Sequence, residues 1–337
     1  MNLSLVKDFL DSNHQPPFRF RQIVKNYYSG RYSTFSQMTD LSLSLRSQLD
    51  EKFSLLSVFP DKILVDHNTQ KAALVLKDGL KIETVLMDYG DWLTACVSSQ
   101  VGCPLGCAFC ATGKMGFKRN LTTEEIVDQI LFWKNVLFPF RQGGKRPEAE
   151  GGLKRIVFMG MGEPFLNWEN LLSALDIIKQ DLKIGARKIS ISTAGIADKI
   201  IEFADLSTEI NLAVSLHSAI QSTRQSLMPI AKKYPLDQLK LSLKYYTTRT
   251  RRQVFFEYAL IKDINDTEIE INELIKFIQS NRLFYLNLIS LNPIKDGLTP
   301  SINLKNVENQ LNRRHIEYSV RQSFGQKIAS ACGQLIQ

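Results

Sequence analysis

Cysteine is scarce in this chain, which has five among 337 residues. Five cysteines do not make a disulfide framework, so the class of small, disulfide-stabilised secreted proteins is excluded. Long apolar runs are also lacking, because the most apolar stretch, residues 130–140, contains Lys134 and Asn135. No membrane-spanning helix is therefore predicted. The first residues lack an apolar segment after a basic one, so no signal peptide is predicted either. These absences predict a cytoplasmic protein with reduced thiols.

Hydrophobic residues make up 44% of the chain and charged residues 23%, as in an ordinary globular protein. The length predicts one large domain and a smaller one. The net charge is +8, from 42 basic and 34 acidic residues. This charge indicates a polyanionic partner such as nucleic acid, although a generic basic surface explains it equally well.

Three of the five cysteines lie within eight residues, in the loop Cys103-Pro-Leu-Gly-Cys107-Ala-Phe-Cys110. Thiolates are soft ligands that suit iron–sulfur clusters, zinc and copper(I). A structural zinc site is normally closed by four ligands, but neither a fourth cysteine nor a histidine stands nearby. The loop therefore favours a [4Fe–4S] cluster with one open position. The weaker alternatives are zinc with a remote ligand and three ordinary buried cysteines.

Residues 1–60 are predicted to form a small helical domain, with helices near 3–10, 18–28 and 42–53. The second helix mixes basic and aromatic side chains, a combination suited to phosphates and stacked bases. These residues are Phe18, Arg19, Phe20, Arg21, Lys25, Tyr27 and Tyr28, with Arg31 just beyond the helix. The alternative is an ordinary amphipathic helix whose aromatic residues face the core.

Residues 61–93 are predicted to form a β-hairpin extension, with strands at 71–77 and 81–87 and a turn at Asp78-Gly79. By itself, Glu83 in the second strand is interpreted as a solvated carboxylate. Residues 94–322 then alternate strands and helices in six units, which predicts an α/β fold with an open partial (β/α)6 barrel. Residues 323–337 form a tail, and residues 141–152 an exposed flexible loop.

The barrel strands are predicted at 94–98, 156–160, 188–193, 211–216, 254–260 and 285–291, followed by a short last strand at 317–321. The helices are predicted at 122–137, 168–181, 197–204, 236–246, 266–279 and 304–313. Chemistry in such barrels gathers at the carboxyl ends of the strands. The unusual residues follow those ends: the cysteine loop, Gly160 to Pro164, Ser192 to Gly195, Ser215 to His217, and Asn292-Pro293.

Two cysteines remain outside the loop. Cys96 lies in the first barrel strand, and Cys332 lies in the tail beside Gly333. Free cysteines are most often small buried hydrophobic residues. A tail is rarely part of a core, however, so Cys332 is a candidate for an approachable, chemically active thiol.

The three-cysteine spacing, with Gly162-Glu163-Pro164 after the next strand, resembles the radical S-adenosylmethionine (SAM) superfamily. The longer strings Cys96-Val-Ser-Ser-Gln-Val-Gly-Cys103 and Ala331-Cys-Gly-Gln-Leu335 resemble the RlmN/Cfr-type RNA adenine methyltransferases. Members of that family modify 23S rRNA and, in some cases, tRNA. The resemblance covers nearly the whole chain, and it implies a radical SAM barrel behind a small RNA-binding helical domain.

The resemblance also implies roles for individual residues. Cys103, Cys107 and Cys110 would hold the [4Fe–4S] cluster. The positions that match the family's SAM-binding residues are Gly162, Glu163, Ser192, Ser215, Leu216, His217 and Asn292. Two SAM molecules would be used per turnover, with electrons from a donor such as flavodoxin. Apart from the resemblance, nothing in the sequence requires more than a monomer.

In the mechanism that the resemblance implies, Cys332 would take a methyl group from the first SAM. The second SAM would give a 5′-deoxyadenosyl radical, which removes a hydrogen atom from that methyl group. The carbon would then add to adenine, Glu83 would accept a proton, and Cys96 would release the product by a disulfide with Cys332.

The family has two branches, which methylate adenine at C2 or at C8. Glu163-Pro164-Phe165-Leu166-Asn167 resembles the C2 branch, because the C8 branch replaces the proline. The segment 323–330 departs from many C2 members, which carry acidic residues where this chain has Gln326, Lys327 and Ser330. This departure concerns the RNA contacts near the tail. Outside the family, the alternatives are a zinc-stabilised RNA-binding module and an electron-transfer protein.

Overall fold

Three helices form the first part of the chain, as the sequence predicts. The structure is a computed structural model that describes residues 1–136, 152–294, 297–321 and 324–336. The helices are α1 (Leu3–Ser12), α2 (Pro17–Ser29) and α3 (Leu43–Lys52). Side-chain caps begin α1 and α3, because Asn2 and Ser42 accept hydrogen bonds from backbone N–H groups three residues later.

The aromatic residues of α2 divide between core and surface. Tyr27 is buried, and its hydroxyl donates a hydrogen bond to the buried Asp128. Phe18 is exposed, and the Arg19 guanidinium lies 4.8 Å from the centre of its ring. The core interpretation therefore holds for Tyr27, whereas Phe18 and Arg19 lie on the surface.

Within the described residues, ten strands form one sheet and two short strands form another. The strands are β1 (Val58–Asp66), β2 (Thr69–Leu76), β3 (Lys81–Asp88), β4 (Leu93–Cys96), β5 (Gln100–Gly102), β6 (Phe117–Asn120), β7 (Leu153–Phe158), β8 (Ile189–Thr193), β9 (Asn211–Ser215), β10 (Val254–Leu260), β11 (Phe284–Ser290) and β12 (Tyr318–Arg321). The large sheet has the order β1-β2-β3-β4-β7-β8-β9-β10-β11-β12. Pairing is antiparallel from β1 to β4 and parallel from β4 to β12.

Helices follow the parallel strands. They are α4 (Ala111–Lys114), α5 (Thr123–Asn135), α6 (Trp168–Gln180), α7 (Ala197–Asp205), α8 (Gln221–Leu227), α9 (Leu236–Thr250), α10 (Glu268–Gln279) and α11 (Leu304–Arg313). A capping box of Thr122 and Glu125 begins α5. The structure confirms the predicted α/β class with a central parallel sheet, and the six barrel strands lie within three residues of the predicted bounds.

Strand β1 was not predicted. It is an edge strand whose residues are mostly exposed, and its pairing with β2 is interrupted between Pro60 and Lys62. Such a strand lacks the alternating apolar pattern from which strands are predicted. The predicted hairpin is therefore part of a longer antiparallel run that continues the sheet. Of the predicted loop 141–152, all but Gly152 lies outside the described residues.

No helix in the ranges that the structure describes has both the length and the apolar character of a membrane span.

Candidate active site

The three clustered cysteines lie on the loop between β5 and α4. Backbone hydrogen bonds shape this loop: Cys103 N–H donates to Gly116 O over 3.0 Å, and Cys110 N–H donates to Cys107 O over 3.1 Å. Gly102 precedes the loop with a φ of +74°, and a Cβ atom there would lie 1.9 Å from Gly116 O. Only glycine allows this close approach of two backbone segments.

All three cysteines line one cavity, which encloses about 1020 Å³ including the part open to solvent. The same cavity is lined by most of the residues that the resemblance assigned to SAM: Gly162, Glu163, Ser192, Ser215, His217 and Asn292. Leu216, which is fully buried, does not line it. Its backbone N–H instead donates to Glu257 O over 3.0 Å. The residues at the strand ends therefore line one common cavity, except for the side chain of Leu216.

The donor set suits an iron–sulfur cluster with an open position. Three thiolates that bind one zinc ion lie about 3.8 Å apart, as Zn–S bonds of about 2.3 Å require. Within the described residues, no three His, Cys, Asp or Glu side chains are arranged to hold a single metal ion. The three cysteines supply the soft thiolate donors that suit an iron–sulfur cluster, and the cavity that they line leaves room beside them. Burial raises the pKa of Cys103 to about 12, so bound iron would be needed to keep the thiolate form.

Glu163 lies after β7 and is 3% exposed. Its carboxylate accepts hydrogen bonds from Ala194 N–H over 2.7 Å and from Phe165 N–H over 3.0 Å. Burial raises the pKa of Glu163 to about 7, although both backbone donors oppose the shift. The preceding Gly162 has a φ of +97° and packs against Gln100, where a Cβ atom would lie 2.5 Å from the Gln100 side chain. A buried carboxylate at a glycine-lined wall can bind an ammonium group of a ligand.

His217 follows β9 and is buried against the ring of Phe109, with the ring centres 4.4 Å apart. Its Nδ1 accepts a hydrogen bond from Ala259 N–H over 3.0 Å, so the neutral ring carries its proton on Nε2. Burial lowers the pKa of His217 to about 3. The ring is therefore a neutral donor at the cavity wall.

The C-terminal segment brings Cys332 to the cysteine loop. Gly333 O accepts a hydrogen bond from Ala111 N–H over 2.7 Å, and Cys332 O accepts one from the Asn292 side chain over 3.2 Å. The Cys332 side chain is accessible through the cavity that it lines. The tail thus forms part of the wall of the site.

Cys332 also lines a second cavity, of about 650 Å³ including its open part, and Cys96 lines this one too. The two cavities share part of their walls, formed by Met159, Ile289, Asn292, Arg321, Cys332 and Leu335. Cys96 and Cys332 are both free thiols here. Cys332 therefore stands between the cavity of the clustered cysteines and the cavity of Cys96.

Glu83 is 4% exposed, so its interpretation as a solvated strand carboxylate was wrong. One carboxylate oxygen lies 2.9 Å from Lys71 Nζ, and the other accepts a hydrogen bond from Ile336 N–H over 2.8 Å. Burial raises the pKa of Glu83, and Lys71 opposes the rise. Glu83 does not line either of these cavities in the described residues. It contacts the tail that carries Cys332.

Comparison with known families agrees with this geometry. The family profile of the Radical SAM superfamily matches residues 97–275, and that of the ribosomal RNA large subunit methyltransferase N-terminal domain matches residues 1–55. A probable dual-specificity RNA methyltransferase RlmN from Dictyoglomus turgidum is 37% identical, over 98% of this chain and 93% of its own length. The chain belongs to the RlmN family of radical SAM RNA methyltransferases.

Two further relatives support this membership. The Bacillus subtilis protein, also described as a probable dual-specificity RNA methyltransferase RlmN, is 39% identical over 99% of this chain and 91% of its own length. The crystal structure of a radical SAM methyltransferase from Sphaerobacter thermophilus superposes with a TM-score of 0.89 at 36% identity. It covers 99% of this chain and 97% of that one.

One residue of this RlmN-family site was not singled out in the sequence. Arg321 ends β12, lines both cavities, and donates a hydrogen bond to Glu257 over 3.0 Å. Its positive charge lowers the pKa of Cys332, although burial has the larger effect and raises it. The rule that chemistry gathers at strand ends, applied to the short last strand, would have identified Arg321.

Proposed function

We propose that this chain methylates C2 of a specific adenosine in 23S rRNA, and of the adenosine 3′ of the anticodon in tRNA. The observation that carries the proposal is the position of Cys332 in the shared wall of the two cavities. A methyl carrier needs access to both the methyl donor and the acceptor base. The first cavity would hold SAM, and the second would admit the adenine.

The first cavity contains the parts that a SAM site needs. Cys103, Cys107 and Cys110 would bind three irons of the cluster, which when bound supplies an open iron for SAM and the electron that cleaves it. The buried carboxylate of Glu163 and the neutral Nε2–H of His217 face the same space. They would orient the amino acid and adenosine ends of SAM.

Cys332 would act first as a nucleophile. Its thiolate attacks the methyl group of SAM: the S–CH₃ bond of the sulfonium breaks, a bond from the methyl carbon to Cys332 Sγ forms, and S-adenosylhomocysteine leaves. Arg321 favours the thiolate that this step requires. Asn292 fixes the backbone of Cys332 at its carbonyl.

Cys96 and Glu83 would complete the transfer. The S-methyl group would first lose one hydrogen atom to the 5′-deoxyadenosyl radical, and the resulting methylene carbon would bond to C2. The adduct would pass its unpaired electron to the oxidised cluster, Glu83 would accept the proton from C2, and Cys96 would attack Cys332 Sγ. The S–C bond then breaks as the disulfide forms, and the electron pair of the broken bond stays with the methyl carbon, which takes up a proton. Cys96 supports this role by its place on the wall of the second cavity beside Cys332. Glu83 would have to exchange Ile336 N–H for the substrate.

The choice of C2 rests on Pro164, which is buried and begins a short 3₁₀ turn, Pro164–Leu166, directly after Glu163. The choice of both RNAs rests on the dual-specificity names of the relatives and on the net charge of +8. A reduced protein such as flavodoxin would supply electrons, and the chain would act as a cytoplasmic monomer.

The proposal is tested by nucleoside mass spectrometry. Anaerobically purified enzyme is incubated with SAM, reductant and unmodified 23S rRNA or tRNA. We expect 2-methyladenosine from both RNAs, none with Cys332→Ala, and a covalent RNA–protein adduct with Cys96→Ala, because that variant cannot release the product. 8-Methyladenosine would instead assign the chain to the C8 branch. A colourless zinc protein that binds RNA without modifying it would overturn the proposal.

A further inference from the structure

The turn between β3 and β4 carries an aromatic residue at each end. Tyr89 and Trp92 stack with their ring centres 5.7 Å apart and their planes at 17°. The turn is closed by Tyr89 N–H, which donates to Trp92 O over 3.0 Å. Phe324 meets Tyr89 edge-on at 4.8 Å, and the Arg155 guanidinium lies 4.4 Å from the Trp92 ring. We call Tyr89, Trp92 and Phe324 the aromatic platform.

The aromatic platform lies at the edge of the second cavity. Tyr89 and Phe324 line this cavity together with Cys96 and Cys332. Tyr89 is nevertheless 42% exposed, so its side chain is at once part of the wall and part of the outer surface. A planar group that enters the second cavity beside Tyr89 would contact the Tyr89 ring.

Two arginines lie beside the aromatic platform, while the turn itself carries Asp88 and Asp91 and Arg321 is paired with Glu257. Arg155 is exposed beside Trp92, and Arg321 lies on the wall of the cavity. An aromatic surface with neighbouring cations suits unpaired nucleotides, because bases stack on the rings while the phosphates meet the positive charge. The net charge of the whole chain, +8, has the same sign.

We propose that the aromatic platform stacks the base of a nucleotide that neighbours the target adenosine. This inference rests on the proposed function, because it takes the second cavity as the place of the target base. An adenine can reach Cys332 only after it leaves its own stack, and its neighbour then loses a stacking partner. The Tyr89 ring replaces that partner, which stabilises the RNA with its target base extruded.

The test compares Tyr89→Leu, which keeps apolar bulk, with Tyr89→Phe, which keeps the ring. The matched control is Tyr245→Leu, because Tyr245 is 41% exposed on α9 and its hydroxyl donates to Asp205. The probes are the RNAs that the wild-type enzyme methylates, with 2-aminopurine placed on either side of the target adenosine. RNA affinity, salt dependence and fluorescence are measured on the cluster-bound enzyme.

We expect Tyr89→Leu to bind RNA roughly 5- to 100-fold more weakly, as loss of one base–aromatic stack predicts. The slope of affinity against salt should not change, because no phosphate contact is removed. Quenching of 2-aminopurine at one flanking position should disappear in Tyr89→Leu and persist in Tyr89→Phe and Tyr245→Leu. Iron and sulfide content and the thermal unfolding midpoint should match the wild type in every variant, which shows that the fold is intact.

Equal affinity and equal quenching for the wild type and Tyr89→Leu would overturn the inference. A loss of affinity with a smaller salt slope would also overturn it, because that result identifies a charge effect. Failure of the proposed function gives a different result: the wild type forms no methyladenosine from any RNA. In that case, quenching that depends on Tyr89, measured with an adenosine-containing RNA loop, would still support the stacking surface.

Discussion

At the scale of single residues, the reactivity of Cys332 depends on the charged groups beside its thiol. Arg321 lines both cavities that Cys332 lines, and its guanidinium is bound to the buried Glu257. A fixed positive charge near a thiol stabilises the thiolate. Burial works against this effect and raises the pKa of Cys332 overall. Arg321 therefore offsets part of the rise in the pKa of Cys332 that burial causes.

Arg321→Gln should make Cys332 less reactive. Removal of the positive charge raises the pKa of the thiol, so alkylation of Cys332 at pH 8 should slow by about tenfold. The measurement is iodoacetamide labelling of the cluster-bound enzyme across pH, quantified on the Cys332 peptide. The native Arg321 and the Arg321→Gln substitution are compared in a Glu257→Gln background, so that no unpaired carboxylate is left buried and the effect of Glu257, which raises the pKa of Cys332, is absent from both proteins.

Arg321→Lys should keep most of the reactivity, since the charge remains. An unchanged pH profile in the Gln variant would contradict a role of this charge.

Much of this site could be predicted from the sequence, because strand-end positions are readable from pattern alone. Glu163, Ser192, Ser215 and His217 lie in or just after the last residues of predicted strands, and all four line one cavity. The burial of Glu83 could not be predicted. It arises where Lys71 of the neighbouring strand and Ile336 of the distant tail cover the carboxylate. Contacts between remote segments leave no periodic signal in a sequence.

At the scale of elements, the cysteine loop depends on close backbone contacts. Gly102 and Gly79 both have positive φ angles, of +74° and +82°. A Cβ atom at Gly102 would strike Gly116 O, whereas at Gly79 it would meet nothing within 4 Å. Substitutions at the two glycines therefore distinguish the cost of a positive φ from the cost of a steric clash.

Gly79→Ala should lower stability by about 1–2 kcal/mol, the cost of a left-handed non-glycine residue, and keep a full cluster. Gly102→Ala should cost more and should also reduce bound iron to less than half of the wild-type content, because β5 and β6 must separate. Thermal unfolding and iron and sulfide content after anaerobic reconstitution are the measurements. Equal iron in both variants would show that the loop tolerates the displacement.

The elements themselves were predicted with uneven success. The parallel strands are buried and rich in branched apolar residues, as in β8, where Ile189 and Ile191 are fully buried. Their apolar sequence pattern therefore predicts these strands clearly. The edge strand β1 and the short pair β5 and β6 were missed, because exposed or three-residue strands need little apolar sequence.

At the scale of the whole molecule, buried titratable groups couple folding to pH. His217 is neutral in the folded state, because burial lowers its pKa to about 3 from an ordinary value of 6.5. In the unfolded chain it takes up a proton below pH 6.5. Folding stability from this group is therefore complete above pH 6.5 and is lost as pH falls toward 3.

Between pH 6.5 and pH 5, His217 should cost the wild type about 2 kcal/mol of unfolding free energy. His217→Asn should remove this part of the pH dependence, since asparagine tolerates the φ of +53° and offers an acceptor to Ala259. His315→Asn is the control, with the same φ on an exposed residue. Denaturant unfolding of the protein without cluster or SAM gives the free energies. A parallel decline in wild type and His217→Asn would contradict the assignment.

The hydrogen bond from Ile336 N–H to Glu83 affects the order of the proposed steps. Lys71 and Ile336 N–H occupy two of the roughly four acceptor sites of the Glu83 carboxylate, and both interactions hold its pKa lower than burial alone would. While the tail keeps this hydrogen bond, the proposed base is therefore weaker. Departure of the tail from Glu83 would strengthen the base, so movement of the segment that carries Cys332 would set the order of carbon delivery and deprotonation.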